Sequence, residues 1–325
     1  MRHIFLIDPP ERLLPHADTT IAFMREAAAR GHETWEAQVD ALGARDGGRP
    51  FVEAAPIEIR EGDDWYRLGE ARGSFLDQLD VVWMRKDPPF DLRYVYATHL
   101  LSLVPRPTLV VNDPAALRDA NEKLVTLRFP ELIPETLVSS RIAELLAFRE
   151  HLGGEMIVKP LGGAGGDGIF HLADKDRNVR AILEMSTRKE SELLLAQRYL
   201  PEVRDGDKRV ILVEGEPKGA LLRVPHETES RANLHVGGVA TKTRLTPRDL
   251  EICAAVGPML RELGVVFAGL DIIGAYLTEI NITSPTGIRE IEQLDGVAIE
   301  KDVLDAVEAR WSAAETTSRQ RLGSG

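Results

Sequence analysis

An apolar stretch, Met156-Ile157-Val158-Lys159-Pro160, runs directly into five glycines, Gly162, Gly163, Gly165, Gly166 and Gly168. Behind them comes Ile169-Phe170-His171-Leu172, which reads as another strand. The order strand, glycine loop, strand excludes two familiar phosphate sites. A Walker loop needs Gly-Lys-Ser/Thr opening a helix, and a dinucleotide fingerprint needs a helix after its glycines. Two readings remain: a hairpin loop with no ligand, or a loop whose backbone N–H groups cradle an anion. Lys159 favours the second, because it ends an apolar strand immediately before the loop, where a solvated lysine is not needed. Lys123, after Asn121-Glu122 at the start of a helical stretch, would alone read as a surface lysine. Together the two offer point charges suited to a polyphosphate.

Residues 267–281 read as a hairpin with Asp271 on one strand. Glu279 and Asn281 lie two apart on the other and so share a face. Ile272, Ile273, Ile280 and Ile282 surround them, and acids among apolar side chains are costly to bury unless something neutralises them. Converging oxygen ligands suit Mg²⁺, which completes its shell with water and substrate phosphates. The plainer reading is a half-solvated antiparallel face. Loop, lysines and acids together read as a Mg·ATP site.

The 325 residues predict about two domains. A net charge of −12, from 52 acidic against 40 basic residues, argues against nucleic acid as a partner, since phosphate backbones need a basic surface. The single cysteine, Cys253, sits in a helix-like run and reads as a buried structural thiol. No apolar stretch approaches a membrane span, and Met1 to Asp8 is too short for a signal peptide, so the expected location is the cytoplasm.

Along the chain, residues 3–8, 32–37, 80–85 and 108–112 read as strands, with a helix capped by Asp18 or Thr19 and ended at Gly31. This predicts a small parallel α/β domain; residues 42–50 read as a loop or excursion. After Asn121 strands pair closely, at 155–160, 168–172, 193–200, 208–214 and 217–225, with the best helix at 247–263. The second part therefore reads as α+β with antiparallel sheet. The polar tail from Ser312 is expected to fray.

Several runs carry a resemblance: Met84-Arg85-Lys86-Asp87-Pro88-Pro89-Phe90-Asp91, Asn121-Glu122-Lys123-Leu124 and Asp205-Gly206-Asp207-Lys208-Arg209-Val210. So do Gly269-Leu270-Asp271-Ile272-Ile273-Gly274 and Leu277-Thr278-Glu279-Ile280-Asn281-Ile282-Thr283-Ser284-Pro285-Thr286. Over nearly its whole length the chain resembles bacterial glutathione synthetases of the ATP-grasp superfamily. The acidic hairpin is shared by many ATP-grasp ligases; the Arg-Lys-Asp-Pro-Pro-Phe and Thr-Ser-Pro-Thr runs are more specific.

The resemblance implies an N-terminal α/β (pre-ATP-grasp) substrate-binding domain over 1–120 and an ATP-grasp domain over 121–312, with lobes at 121–195 and 196–312; the polar stretch 313–325 is expected to be a disordered tail. It implies that ATP phosphorylates the cysteinyl carboxylate of γ-glutamylcysteine and that glycine displaces phosphate. Lys123, Lys159 and the glycines 162, 163, 165 and 166 would then contact phosphates. The backbone of Gln197, Arg198, Tyr199 and Leu200 would meet adenine, and Asp207 the ribose. Asp271, Glu279 and Asn281 would hold two Mg²⁺ ions, with Mn²⁺ an alternative. Arg209 and Arg223 would face the transferring phosphoryl group; Arg85, Arg231, Asn233, Ser284 and Thr286 would grip the peptide. The family also implies a homo-oligomer.

Phosphoryl transfer asks for positioning and spread positive charge, which is why such a site needs no Cys, Ser or His nucleophile. For Arg85, Arg209 and Arg223 the plainer reading is a surface or sheet-face ion pair. Two positions depart from the family's pattern: Ser230-Arg231-Ala232-Asn233-Leu234 stands where Thr-Arg-Gly-Asn-Leu is usual, and Arg198 replaces a smaller polar residue. The loops at 162–168 and 225–238 are expected to close over the reacting groups, since an acyl phosphate must be kept from water. The rival readings are an ATP-grasp ligase with a different amino-acid or peptide substrate, and a non-catalytic ATP-binding regulatory module.

Overall fold

A computed structural model describes residues 1–62, 64–163, 165–226 and 238–323. The first sheet begins with β1 (Arg2–Leu6), α1 (Thr19–Ala29) and β2 (Glu33–Ala37). Asp18 caps α1 by accepting from the N–H groups of Thr20 and Ile21. Gly31 follows the helix at φ +77°, the left-handed cap only glycine adopts freely. Then come β3 (Leu42–Arg45), β4 (Arg49–Ile59), β5 (Tyr66–Leu68), β6 (Arg72–Phe75) and β7 (Val81–Met84). The set ends with α2 (Leu92–Leu101), β8 (Leu109–Val111) and α3 (Pro114–Asp119). The strand order is β3-β4-β2-β1-β7-β8, with β5 and β6 also on β4. β2, β1, β7 and β8 run parallel, while β4 is antiparallel to β2.

Residues 42–50 are thus not a loop but most of a hairpin, turned by Asp46, Gly47 and Gly48 at positive φ. Its exposed face is covered by guanidinium groups, Arg45 over Phe51 at 4.4 Å and Arg49 over Phe75 at 3.8 Å, in place of an apolar layer.

The second sheet is built from β9 (Thr136–Ser139), α4 (Ile142–His151), β10 (Met156–Pro160), β11 (Phe170–Leu172), α5 (Val179–Ser186) and β12 (Leu194–Arg198), ordered β11-β10-β12-β9. The third comprises β13 (Asp207–Val213), β14 (Glu216–Val224), β15 (Val239–Lys242), α6 (Pro247–Glu262), β16 (Phe267–Ile273) and β17 (Tyr276–Asn281). Its order is β15-β14-β13-β16-β17, antiparallel throughout. Helices α7 (Ile288–Asp295) and α8 (Ile299–Gly323) follow. The tail expected to fray from Ser312 is instead helical to Gly323, with Glu315 and Arg319 paired one turn apart.

Alternation distributes the core. Ile4 and Leu6 enter one cluster, Phe5 and Ile7 the other; Val210 and Leu212 of β13 join the first, Ile211 and Val213 the second. The first and third sheets therefore share both cores. Asn112 fastens them: its amide donates to the carbonyls of Phe267 (2.8 Å) and Ile282 (2.7 Å), and its oxygen accepts from the N–H groups of Val266 and Phe267. The second sheet has its own core around Leu145, Met156, Val158, Leu183 and Leu194. Cys253 is buried on α6, where burial pushes its thiol up to about 12.

Candidate active site

Register in the third sheet assembles the site. Asp207 stands opposite Arg223, Arg209 opposite Asp271, and Asp271 opposite Glu279. The odd-numbered residues of four neighbouring strands thereby form a charged row across one face. Arg209 grips Asp271 with two parallel bonds, Nε to Oδ1 at 2.6 Å and Nη2 to Oδ2 at 3.0 Å. Arg223 lies between Asp207 (2.6 Å) and Asp271 (2.9 Å). Asn281 donates its amide to Asp271 Oδ2 at 3.1 Å.

Burial acts against Asp271, but Arg209 and Arg223 outweigh it and hold the carboxyl well below its usual range. Asp207 goes the other way. Burial, with Asp271 close by, pushes it up to about 6 despite Arg223, and its Oδ1 is buried without a partner.

Two lysines reach this row from outside the third sheet, one of them from the second sheet and the other from the segment before β9. Lys159 on β10 and Lys123 both sit beside Glu279, at 3.7 and 3.8 Å, and both are buried. Lys123 also donates to the carbonyl of Gly163 at 2.7 Å, and Asn121 to that of Leu161 at 3.0 Å, so the glycine loop is held at its start. Gly165, Gly166 and Gly168 have φ of +64°, +91° and +70°. At Gly163 a Cβ would come within 2.8 Å of the Asp167 carbonyl. Glycine is needed there for geometry as well as for approach.

Beside these groups lies a cavity of about 360 Å³ between the sheets, with Gly165, Arg209, Arg223, Asp271, Glu279, Asn281, Ser284 and Thr286 in its wall. An apolar slot shares Asp271 and Glu279 with it and is walled by Ile157, Ile169, Leu200 and Ile273, with Gln197, Arg198, Tyr199 and Asp207 along its rim. Tyr199 stacks on His171 at 4.0 Å. The Gln197 side chain donates to Thr136, and Arg198 pairs with Glu135. Gly162 and Gly163 line a small annex beside Asn121 and Glu122 rather than the main cavity.

Arg85 is placed differently from the sequence reading. It is buried outside the cavity's lining, donating to Thr20 Oγ1 (3.0 Å) and to the Pro285 carbonyl (3.1 Å). It shapes the 284–286 strap from behind, because the β7 strand end that carries it faces that strap. Arg231 and Asn233, with Ala232, lie outside the described residues. Glu122 and Asp87 line the cavity but passed unnoticed in the sequence, where each merely accompanied a basic neighbour.

Among the described residues no group of three or more His, Cys, Asp or Glu gathers as a metal cage. Two carboxylates and the Asn281 amide are nonetheless the hard-oxygen set that suits Mg²⁺, which relies on substrate phosphates for the rest of its shell. The residues present fit such an ion.

An apolar slot opening onto lysines, arginines and paired carboxylates between two antiparallel sheets defines an ATP-grasp ligase. Solved structures of that fold agree: D-cycloserine synthetase DcsG superposes with a TM-score of 0.67 at 14% identity, covering 95% of this chain and 99% of that one. The ATP-grasp ligase PsnB, complexed with a minimal precursor, gives 0.61 at 19% identity, covering 94% and 98%. Residues 1–118 match the prokaryotic glutathione synthetase N-terminal domain, and residues 122–296 its ATP-grasp domain. A glutathione synthetase of Brucella melitensis biotype 1 is 50% identical over 294 residues, covering 90% of this chain and 94% of that protein. One from Gloeobacter violaceus is 48% identical over 312 residues, covering 94% and 96%. The chain belongs to the prokaryotic glutathione synthetase family.

Proposed function

We propose that the protein joins γ-glutamylcysteine to glycine at the expense of ATP, giving glutathione, ADP and phosphate through an acyl phosphate. The observation that carries this reading is the charge layout of the cavity. Lys123, Lys159, Arg209 and Arg223 are all buried around two shared carboxylates, and among the described residues the linings of cavity and slot contain no cysteine or histidine. Such a site binds and stabilises anions rather than forming a covalent bond to the protein.

In this reading the slot takes adenine, and the unpartnered Oδ1 of Asp207 accepts a ribose hydroxyl. Lys123 and Lys159 draw in the phosphates, while Arg209 and Arg223 face the phosphoryl group as it passes to the cysteinyl carboxylate. Two Mg²⁺ ions, or Mn²⁺, at Asp271, Glu279 and Asn281 would neutralise charge on the phosphate oxygens. Ser284 and Thr286 hold the peptide, with Arg85 bracing their strap. The amine of glycine then attacks the acyl carbon and phosphate leaves. Among the described residues no helix is long and apolar enough to cross a membrane. We take the protein as a cytoplasmic homo-oligomer acting on small molecules, not on nucleic acid or membranes.

Phosphate release tests the reading. With ATP, Mg²⁺, γ-glutamylcysteine and glycine present it is expected to be fast, and omission of any one should abolish it. Undiminished release without γ-glutamylcysteine would leave only an ATPase; release with a different peptide alone would favour another ligase of the class.

A further inference from the structure

Glu122 is a partly buried carboxylate that none of these roles uses. It lines both the main cavity and the annex. Thr283 donates to its Oε1 twice, from Oγ1 at 2.6 Å and from N–H at 3.3 Å. Every other well-buried acid of the cavity is paired: Asp271 with Arg209 and Arg223, Glu279 with Lys123 and Lys159. Asp87 and Asp167 are exposed. Among the described residues no lysine or arginine lies within ion-pair distance of Glu122. Burial, with Glu279 adding to it, raises its pKa, and Thr283 and Lys123 only partly oppose this. The nearby Tyr94 hydroxyl is buried without a partner.

A buried carboxylate without a cation is costly, and the cost is recovered when a cation arrives. The cavity's two guanidinium groups, Arg209 and Arg223, suit phosphate and carboxylates but repel an ammonium group, and its acids Asp271 and Glu279 are already taken up by cations. Amino-acid substrates carry both a carboxylate and an ammonium. We infer that Glu122 receives the ammonium group of a substrate. This rests on the ligase reading above. γ-Glutamylcysteine and glycine each bring an ammonium, and the two arms of the experiment tell them apart.

The test compares the wild type, Glu122→Gln and Thr283→Val in steady-state assays, with the melting temperature of each recorded. Gln keeps an acceptor for Thr283 but loses the charge; Val loses the brace but keeps the charge. Losing a charge-assisted bond is expected to raise one KM by about ten- to a hundredfold, with the KM for ATP little changed. If γ-glutamylcysteine is the ligand, its KM rises and the wild type rejects glutarylcysteine, which lacks the amine, while Glu122→Gln no longer discriminates. If glycine is the ligand, only its KM rises. Either result supports the inference. Unchanged KM values for both substrates in Glu122→Gln overturn it, as does an equal rise in Thr283→Val, which would make bracing the whole role. Absence of turnover in the wild type with this substrate pair would instead sink the ligase reading.

Discussion

The body made by the first and third sheets and the lobe made by the second are built on different terms. In the body, two cores run through both sheets and Asn112 ties one sheet to the other with four hydrogen bonds. The lobe has a small core of its own and reaches the body's charged row through Lys159, whose contact with Glu279 is a 3.7 Å ion pair. Shared apolar burial makes sheets unfold together, whereas a separately cored lobe with a polar hinge can open alone. A ligase that must admit ATP and then exclude water needs that division.

Glu279→Gln probes the join and carries the largest expected effect. Turnover should fall by at least about a hundredfold, since a carboxylate that would hold the phosphate-neutralising metal is lost. Amide exchange in β10 should quicken while the fold stands. Normal turnover at saturating Mg²⁺ would remove Glu279 from the site.

Next come two core truncations, Leu183→Ala in the lobe and Leu212→Ala in the body. Both side chains are fully buried, so each should cost about 2–5 kcal/mol. The lobe variant should speed exchange only in β9 to β12; the body variant should lower protection in the first and third sheets together. Equal spreading from both would abolish the distinction.

Acid should weaken the body first. His3 is buried in it and accepts from Trp83 Nε1 at 3.0 Å. Burial, then His32 and the N-terminus, lower its pKa from 6.5 to about 3. Because the folded value lies below the unfolded one, the unfolded chain takes up the proton first. The stability is whole above pH 6.5 and drains as pH falls towards 3. At pH 5 the loss is about 2 kcal/mol. Asp207, raised to about 6, acts in the opposite sense below that pH and offsets part of it. His3→Gln keeps an acceptor for Trp83 and should flatten the fall of melting temperature between pH 6.5 and 5; an unchanged slope would clear His3.

The smallest effect belongs to Arg198→Ala. Its partner Glu135 is exposed, and the slot is expected to meet adenine through backbone, so the KM for ATP should stay within about twofold. A larger rise would mean that the guanidinium itself faces the nucleotide.

Local signals were legible wherever a single residue has one physical use. Asp18 as a cap, Gly31 past a helix end and Asp271 opposite Glu279 in a hairpin could all be read from spacing. The β3–β4 hairpin could not, because its face is covered by arginines rather than alternating apolar residues. Helices α4 and α5 were not legible, because short runs between strands read as connections, and α4 carries no clear apolar stripe. Arg85 and Glu122 depend on the strap at 283–286, far along the chain, and no local pattern announces which distant partner a charge will meet.

Asn112 also bears on how the chain could be divided. A fragment ending near residue 120 would present a carboxamide shaped to bind main chain that it no longer possesses, beside an uncovered apolar sheet face. Such a piece is half of an interface rather than a module. Two halves produced together should reassemble by complementation, whereas the first half alone should be found with chaperones or in aggregates.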